Sequence, residues 1–523
     1  MKRTALTLAI SLVLGTAAVA TATPAAAETQ IIGGIAVSTT AGTDVDRPTY
    51  AEPTVTIKGF KAAPGADLAS YLAQKVTWKA CGAKSPKTTC AKVLVPLDYA
   101  NPGGQAITIA MRKRPATKKP RLGTLFINPG GPGGSGKDLV PAFQRDGLEQ
   151  YDIVGWDPRG VGDSTPVVCE AGDKMDALYA LDLSPDSEAE RAKLLKASRQ
   201  FAKSCWDKNG SYLNYVGTQD TVRDLDFLRQ LLGNAKLNYF GYSYGTQIGA
   251  YYAQMFGKNT GRMVLDAAVN ITGNEDVIQQ MGFDTALKNF ASWCAKSKCG
   301  LGKTQTAVIS KLKKFLKQLD AKPMKISGMS RKLTESMAAL GIGYMLYLGE
   351  FGWVYLGLYV EAALQGYGEY LLWAGDQLND RRDDGTYGST AYALPAVNCV
   401  DYSDQGVLAS DKDWKKAKKL APFFGKYFGP DYICPMWPVK SQPIGKITGK
   451  DAAPLLVIGT TGDNATPYQQ AKDMAKALKS ATLLTYHGEG HGAYGGNSTC
   501  VDKAVVKFLA KGKLSKTNFS CKK

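Results

Sequence analysis

The sequence predicts an α/β fold: a mostly parallel central sheet, with a mainly helical cap inserted between two of its late strands. Three observations predict it. Short apolar runs alternate with helical stretches from Val76 onward, and several of those runs are apolar throughout. The alternation then stops between about Asn270 and Lys446, and it resumes with Pro454-Leu455-Leu456-Val457-Ile458.

The strands expected are Ala91–Pro96, Ala106–Arg112, Gly123–Asn128, Tyr151–Trp156, Leu237–Gly241, Arg262–Asp266, Pro454–Thr460 and Ala481–His487. A strand covered on both faces has no wet side, so its apolar run is continuous. Helices are expected over Thr218–Leu232 and Thr246–Met255. Strands alternating with helices give parallel neighbours, because a parallel crossover needs a long connection. The interrupting stretch, residues 271–445, reads as the helical cap. Its aromatic and glycine-rich part runs from Ser336 to Leu372, where Glu350, Glu361 and Glu369 break any run long enough for a membrane span. The sheet domain is thus divided into 76–270 and 446–523.

The start of the chain points outside the cell. Lys2 and Arg3 precede an apolar run from Ala5 to about Ala20, then Ala25-Ala26-Ala27. This is the pattern of a secretory signal peptide over residues 1–27. Residues 28–75, polar and rich in Thr, Ala, Pro and Gly, read as an extension or propeptide. The apolar run is short for a bilayer span and no cysteine lies near the cut, so neither a membrane nor a lipid anchor is expected. In an oxidising compartment the ten cysteines read as disulfides. Proximity couples Cys81 with Cys90, Cys169 with Cys205, Cys294 with Cys299, Cys399 with Cys434 and Cys500 with Cys521, and it leaves the connectivity open.

Lysine and arginine outnumber the acids by 64 to 46, a net charge of +18. The cations are dispersed, with small clusters at Lys113–Arg121, Lys311–Lys317 and Lys415–Lys419 that read as solvated faces. No nucleic acid is expected as partner, although a basic surface suits retention on an anionic cell wall. His487 and His491 are the only histidines. No metal site and no cofactor are expected.

The chemistry sits in four loops. Gly241-Tyr242-Ser243-Tyr244-Gly245 fits G-x-S-x-G between an expected strand and helix, a turn that exposes Ser243 at the positive end of the helix. An expected strand leads into Gly462-Asp463, and a later one into His487-Gly488-Glu489-Gly490-His491-Gly492. Serine, acid and histidine in this order suit a nucleophile, an orienting carboxylate and a general base. His491, between glycines and farther out, is preferred as base over His487, which is expected to pack or hydrogen-bond at the strand end. The fourth loop, Asn128-Pro129-Gly130-Gly131-Pro132-Gly133-Gly134-Ser135-Gly136, can aim backbone N–H groups at an oxyanion. Gly131 and Tyr244 are the expected donors.

The same loop matches two nucleotide-binding patterns, G-x-x-x-x-G-K from Gly131 to Lys137 and G-x-G-x-x-G over Gly131, Gly133 and Gly136, with Asp157 about twenty residues on. Asp138 stands where a magnesium-holding hydroxyl belongs, and Pro132 removes an amide, so both are set aside. Trp156 to Ser164 reads as a turn-rich support for the oxyanion loop.

Together NPGGPGGSG, WDPRGVGDS, GYSYGT, GDNATP and GEGHGAY, followed by Cys500 and Cys521, resemble the secreted actinobacterial tripeptidyl aminopeptidases. These are α/β-hydrolase relatives of prolyl aminopeptidase. The resemblance covers both halves of the sheet domain and, weakly, the cap through Trp353, Ala362-Ala363 and CVDYSD at Cys399–Asp404. It implies an α/β-hydrolase fold, with Ser243, Asp463 and His491 as triad and Gly131 and Tyr244 as oxyanion hole. Pro129 stands where prolyl aminopeptidases place a histidine, which suits the tripeptidyl branch. It also implies peptide substrates with a free amino terminus, and cap carboxylates to hold the ammonium: Glu350, Glu361, Glu369 and Asp376 are unranked candidates. A monomer is expected. The rival readings are an esterase or lipase on the same framework and a non-catalytic peptide-binding protein.

Overall fold

A central sheet with nine strands of four residues or more organises the computed structural model, which describes residues 29–32, 35–38, 48–53, 59–82, 87–515 and 517–523. The expected signal peptide lies outside the described residues. The strands are β1 (Thr89–Pro96), β2 (Gln105–Arg114), β3 (Thr124–Asn128), β4 (Asp152–Asp157), β5 (Leu237–Tyr242), β6 (Thr260–Asp266), β7 (Leu455–Gly462), β8 (Ala481–Glu489) and β9 (Phe519–Lys522). Their order across the sheet is β1-β2-β4-β3-β5-β6-β7-β8-β9. Pairing is antiparallel from β1 to β4 and parallel from there on. The parallel strands are those with continuous apolar sequence: every residue of β3 is buried, as are all but one of β7.

The helices used below are α1 (Gly136–Ala142), α2 (Glu188–Asn209), α3 (Thr218–Leu231), α4 (Tyr244–Met255), α5 (Gln279–Ser297), α6 (Gln305–Ala321), α7 (Glu335–Tyr347), α8 (Gly349–Leu364), α9 (Glu369–Leu378), α10 (Thr390–Asp401), α11 (Val407–Leu420), α12 (Tyr468–Ala477) and α13 (Thr499–Lys511). The chain runs from β3 to β4 on one side and returns to β5 on the other. The order therefore reverses between β3 and β5, and the crevice beyond their carboxyl ends is where open α/β sheets bind ligands. The glycine-rich loop leaves β3 there, and Ser243 follows β5.

Buried apolar side chains of the described residues form three clusters. One holds one face of the sheet against α3, α4 and α2, and a second holds the other face against α1 and α13. The third draws its members from α5 to α9, the connections between them and Phe423–Tyr427, with Ala465 from the loop after β7. The insertion between β6 and β7 is therefore not uniform. Its first part has its own core, whereas Ala391, Val397 and Val400 of α10, with Trp437 and Ile447, join the sheet cluster. The Cys399–Cys434 disulfide staples that returning part. The other four bonds join Cys81 to Cys90, Cys169 to Cys205, Cys294 to Cys299 and Cys500 to Cys521, the couples drawn by proximity. Among the described residues no helix is long and apolar enough to cross a membrane.

Candidate active site

Ser243 joins β5 to α4 with φ 55° and ψ −127°. A side chain with a Cβ is strained there, so the turn must be held from outside. Its N–H donates to the Asp266 carbonyl on neighbouring β6 at 2.9 Å, and its own carbonyl accepts from Thr246 N at 2.7 Å and Thr246 Oγ1 at 2.6 Å. Tyr244 opens α4, so its N–H has no acceptor within the helix and lies at the helix's positive end.

The glycine-rich loop closes over this turn. Gly130 and Gly131 have φ of 96° and 113°. A methyl group on Gly130 would stand 2.8 Å from Ser243 Cβ and 2.6 Å from the Tyr242 carbonyl, so only glycine permits the approach. Asn128 Oδ1 fixes the bend by accepting from Gly130 N at 2.9 Å. Behind the loop, the Asp157 carboxylate accepts from Ser135 Oγ, Lys137 N and Asp163 N, while Lys137 pairs with Asp163. Arg159, fully buried, forks onto Asp224 at 2.7 and 2.8 Å and reaches the carbonyls of Pro96, Leu97 and Tyr215. The segment after β4 thus anchors the oxyanion loop to the edge of the sheet. Gly131, Ser243 and Tyr244 line one cavity of about 1060 Å³.

Asp463 follows β7 and is buried. Its Oδ1 accepts from Ala465 N and Thr466 N at 2.9 Å each and meets His491 Nδ1 at 2.8 Å. With Nδ1 turned to a carboxylate, Nε2 is the ring nitrogen left to take a proton. The cap reaches this loop: His491 N donates to the Tyr347 carbonyl, and the Tyr347 ring stands edge-on to the imidazole with centroids 5.3 Å apart. Burial pushes the imidazole pKa down, but the charges of Asp463 and, farther off, Asp266 outweigh it and hold the pKa above the ordinary histidine value. Of the two roles expected of His487, packing or hydrogen bonding at the strand end, packing does not hold. His487 is exposed on β8, opposite Lys522 of β9.

Asp266 was missed in the sequence. It ends β6, fully buried, and its carboxylate accepts from Ala493 N at 3.0 Å and Tyr494 N at 2.8 Å. Its carbonyl meanwhile accepts from Ser243 N. One residue therefore ties the nucleophile turn to the histidine loop. Burial pushes its carboxyl up to about 6 despite the backbone donors. An acid at the end of an apolar run, as in Val264-Leu265-Asp266, is the signal that singled out Asp463 and could have singled out this one.

The cavity wall holds a second unforeseen acid. Asp401, 3% exposed at the end of α10, accepts from Thr218 N at 2.8 Å, from Thr218 Oγ1 and from Gln247 Nε2 at 3.0 Å. Thr218 Oγ1 also meets the Tyr244 hydroxyl, and Tyr402 donates to Gln247. No lysine, arginine or histidine of the described residues forms an ion pair with Asp401, and burial pushes its carboxyl up to about 7. The four cap carboxylates proposed for an ammonium lie elsewhere. Glu350 is exposed and pairs with Lys523, Glu361 stands beside Gly300, Glu369 is half-buried at the start of α9, and Asp376 is held by Arg331 at 2.6 Å. None of them lines the cavity at Ser243.

Comparison with known proteins agrees with this geometry. Residues 421–521 match the family described as TAP-like protein. The chain is 34% identical over 481 residues to the serine protease Hip1 of Mycobacterium tuberculosis, covering 86% of this chain and 91% of that one. It is 36% identical over 496 residues to carboxylesterase B of the same organism, covering 88% and 92%. Tripeptidyl aminopeptidase of Streptomyces lividans is 30% identical over 487 residues, covering 88% and 89%.

Proposed function

Because the chain belongs to the α/β-hydrolase family of serine hydrolases that includes Hip1 and the Streptomyces tripeptidyl aminopeptidases, we propose that it is a secreted aminopeptidase. It releases short peptides, tripeptides first, from the free amino end of its substrates. Ser243 Oγ attacks the scissile carbonyl while His491 Nε2 takes its proton, with Asp463 holding the imidazolium that forms. The N–H groups of Gly131 and Tyr244 receive the oxyanion. His491 then gives the proton to the leaving amine, and water releases the acyl group by the same steps in reverse roles. Disulfides, the signal-like first 27 residues and relatives of this class support the extracellular location.

The observation that carries the aminopeptidase reading is Asp401. A carboxylate buried in the wall of the cavity that holds the nucleophile, bonded to neutral donors only, is costly to ionise until a cation arrives. A substrate ammonium supplies that cation. The test compares chromogenic tripeptides with free and acetylated amino ends. Cleavage of the free form at least tenfold faster is expected, and equal rates would remove the reading. The likeness to carboxylesterase B favours a second reading, an esterase on the same residues. Fast turnover of simple acyl esters with negligible cleavage of any tripeptide would establish it instead.

A further inference from the structure

The loop that carries His491 is held from two bodies. On the sheet side Asp463 takes the imidazole, and Asp266 takes the amides of Ala493 and Tyr494 just after it. On the cap side the contacts fall on the two residues just before it. A Cβ on Gly349, at the start of α8, would stand 3.0 Å from the Glu489 carbonyl, and one on Gly490 would stand 3.2 Å from Gly349 Cα. The two backbones therefore interlock. The Glu489 carboxylate lies over Gly462, leaving no room there for a side chain, and Gly462 immediately precedes Asp463. In that place both carboxylate oxygens accept from Asn289 Nδ2 of α5, at 2.9 and 3.1 Å.

Packing alone does not favour an acid at this place. Glu489 is half-buried, Glu350 adds a like charge, and no lysine, arginine or histidine of the described residues forms an ion pair with it. Lys523 pairs with Glu350 instead. A single neutral amide offsets only part of the cost of burying the charge. Between Gly488 and Gly490, however, Glu489 is the one side chain ahead of His491 that another element can grip.

We infer that Asn289 and Glu489 are positioning residues of the reaction, a clamp through which the core of the cap sets where His491 stands. The inference rests on the chemistry of Ser243, His491 and Asp463 and is independent of the substrate's amino end. Asn289 is carried by α5, whose Phe283, Leu287 and Phe290 are buried in the cap core, so the amide is offered by a packed helix. Glu489 lies against the residue before Asp463 and two residues before His491, so one carboxylate spans the loops of acid and base. It acts by place. The imidazole pKa is raised by Asp463 and Asp266, whereas Glu489 grips the loop that carries the ring. An uncharged side chain of the same shape should therefore serve nearly as well.

The test uses the full, disulfide-bonded protein and nitrophenyl acetate, a simple ester that needs only the nucleophile, its base and the oxyanion hole, with active sites counted by a fluorophosphonate. Per titrated site, Asn289→Ala and Glu489→Ala are each expected to lower kcat about 10–100-fold with KM within about threefold, since misplacement of a reacting group by an ångström costs that much. The double variant is expected to fall no further than either single one, because both remove the same interaction. Glu489→Gln keeps an acceptor for Asn289 and is expected to recover to within about fivefold of wild type, with the acid limb of its pH profile unmoved. A kcat per titrated site within about twofold of wild type in both alanine variants, even beside a lower melting temperature or a smaller titratable fraction, would reduce the pair to packing and overturn the inference. Losses that multiply in the double variant would overturn it too, as would Glu489→Gln as slow as Glu489→Ala. Failure of the aminopeptidase reading shows separately, as a wild type inert toward free-amine tripeptides while these ester rates keep their order.

Discussion

The rim of the sheet and the insertion above it are built on opposite rules. At the rim each proposed catalytic group sits in a turn or loop that its own local sequence marks. Ser243 sits in a turn bonded to β6, Asp463 Oδ1 holds two following amides, and His491 lies between glycines. In the insertion the residue that counts is defined by what folds against it. Asp401 reaches the cavity only because α10 leaves the cap core and returns to the sheet. The contrast teaches that the reaction is written in loop motifs, whereas selection of the substrate end depends on tertiary return.

The comparison breaks first at the rim. Ser243→Ala or His491→Ala is expected to lower kcat by about 10⁵–10⁶, and Asp463→Asn by about 10⁴, with the free-amine tripeptide substrate. A loss under tenfold at any of the three would mean that the rim does not carry the reaction. Active-site titration beside steady-state kinetics measures it.

Asp266→Asn tests the link between the two loops. The variant keeps the size of the side chain but turns an amide toward the N–H groups of Ala493 and Tyr494. A fall in kcat of about 10–100-fold with KM within threefold is expected, since misplacement by an ångström costs about that much. The pH profile gives the sign. Asp266 raises the His491 pKa, so removing its charge lowers that pKa, and the acid limb of kcat/KM moves to lower pH. An unmoved limb would leave Asp266 as packing alone.

Asp401→Asn sharpens the insertion side. KM for free-amine tripeptides is expected to rise about 10–100-fold, with kcat changed by less than threefold and acetylated substrates unaffected. In the wild type, Asp401 must ionise to hold the ammonium, so KM should fall as pH rises through about 7. It should rise again as the substrate amine loses its proton near about 8. Stability runs the other way. The raised carboxyl binds its proton in the folded chain where the unfolded chain has lost it, so its contribution to stability is lost as pH rises from the usual carboxylate range through about 7. Asp401→Asn removes that slope.

The smallest effects belong to the cap acids. Glu350→Gln, Glu361→Gln and Glu369→Gln are expected within twofold of wild type in kcat/KM, since none lines the cavity. A tenfold rise in KM for any one would return the ammonium site to the cap.

These expectations mark what the sequence could carry. All eight strands and both helices read from it are present within a few residues, because buried strands and a serine turn leave periodic and glycine signatures. The loops after β3, β5, β7 and β8 were legible for the same reason. Asp266 was within reach, as an acid closing an apolar run, but its partners Ala493 and Tyr494 lie some 227 residues away. Asp401 stood in the noticed CVDYSD segment, yet nothing local distinguishes it from Glu350 or Asp376. Only the path of α10 back to the sheet does, and that path depends on apolar contacts and on the Cys399–Cys434 bond.

The most direct test of the whole account is mass spectrometry of the intact protein after a fluorophosphonate probe. A single adduct on the peptide bearing Ser243 is predicted, formed at least a thousandfold more slowly in His491→Ala and Asp463→Asn. Labelling at another serine, or at an undiminished rate without His491, would contradict it.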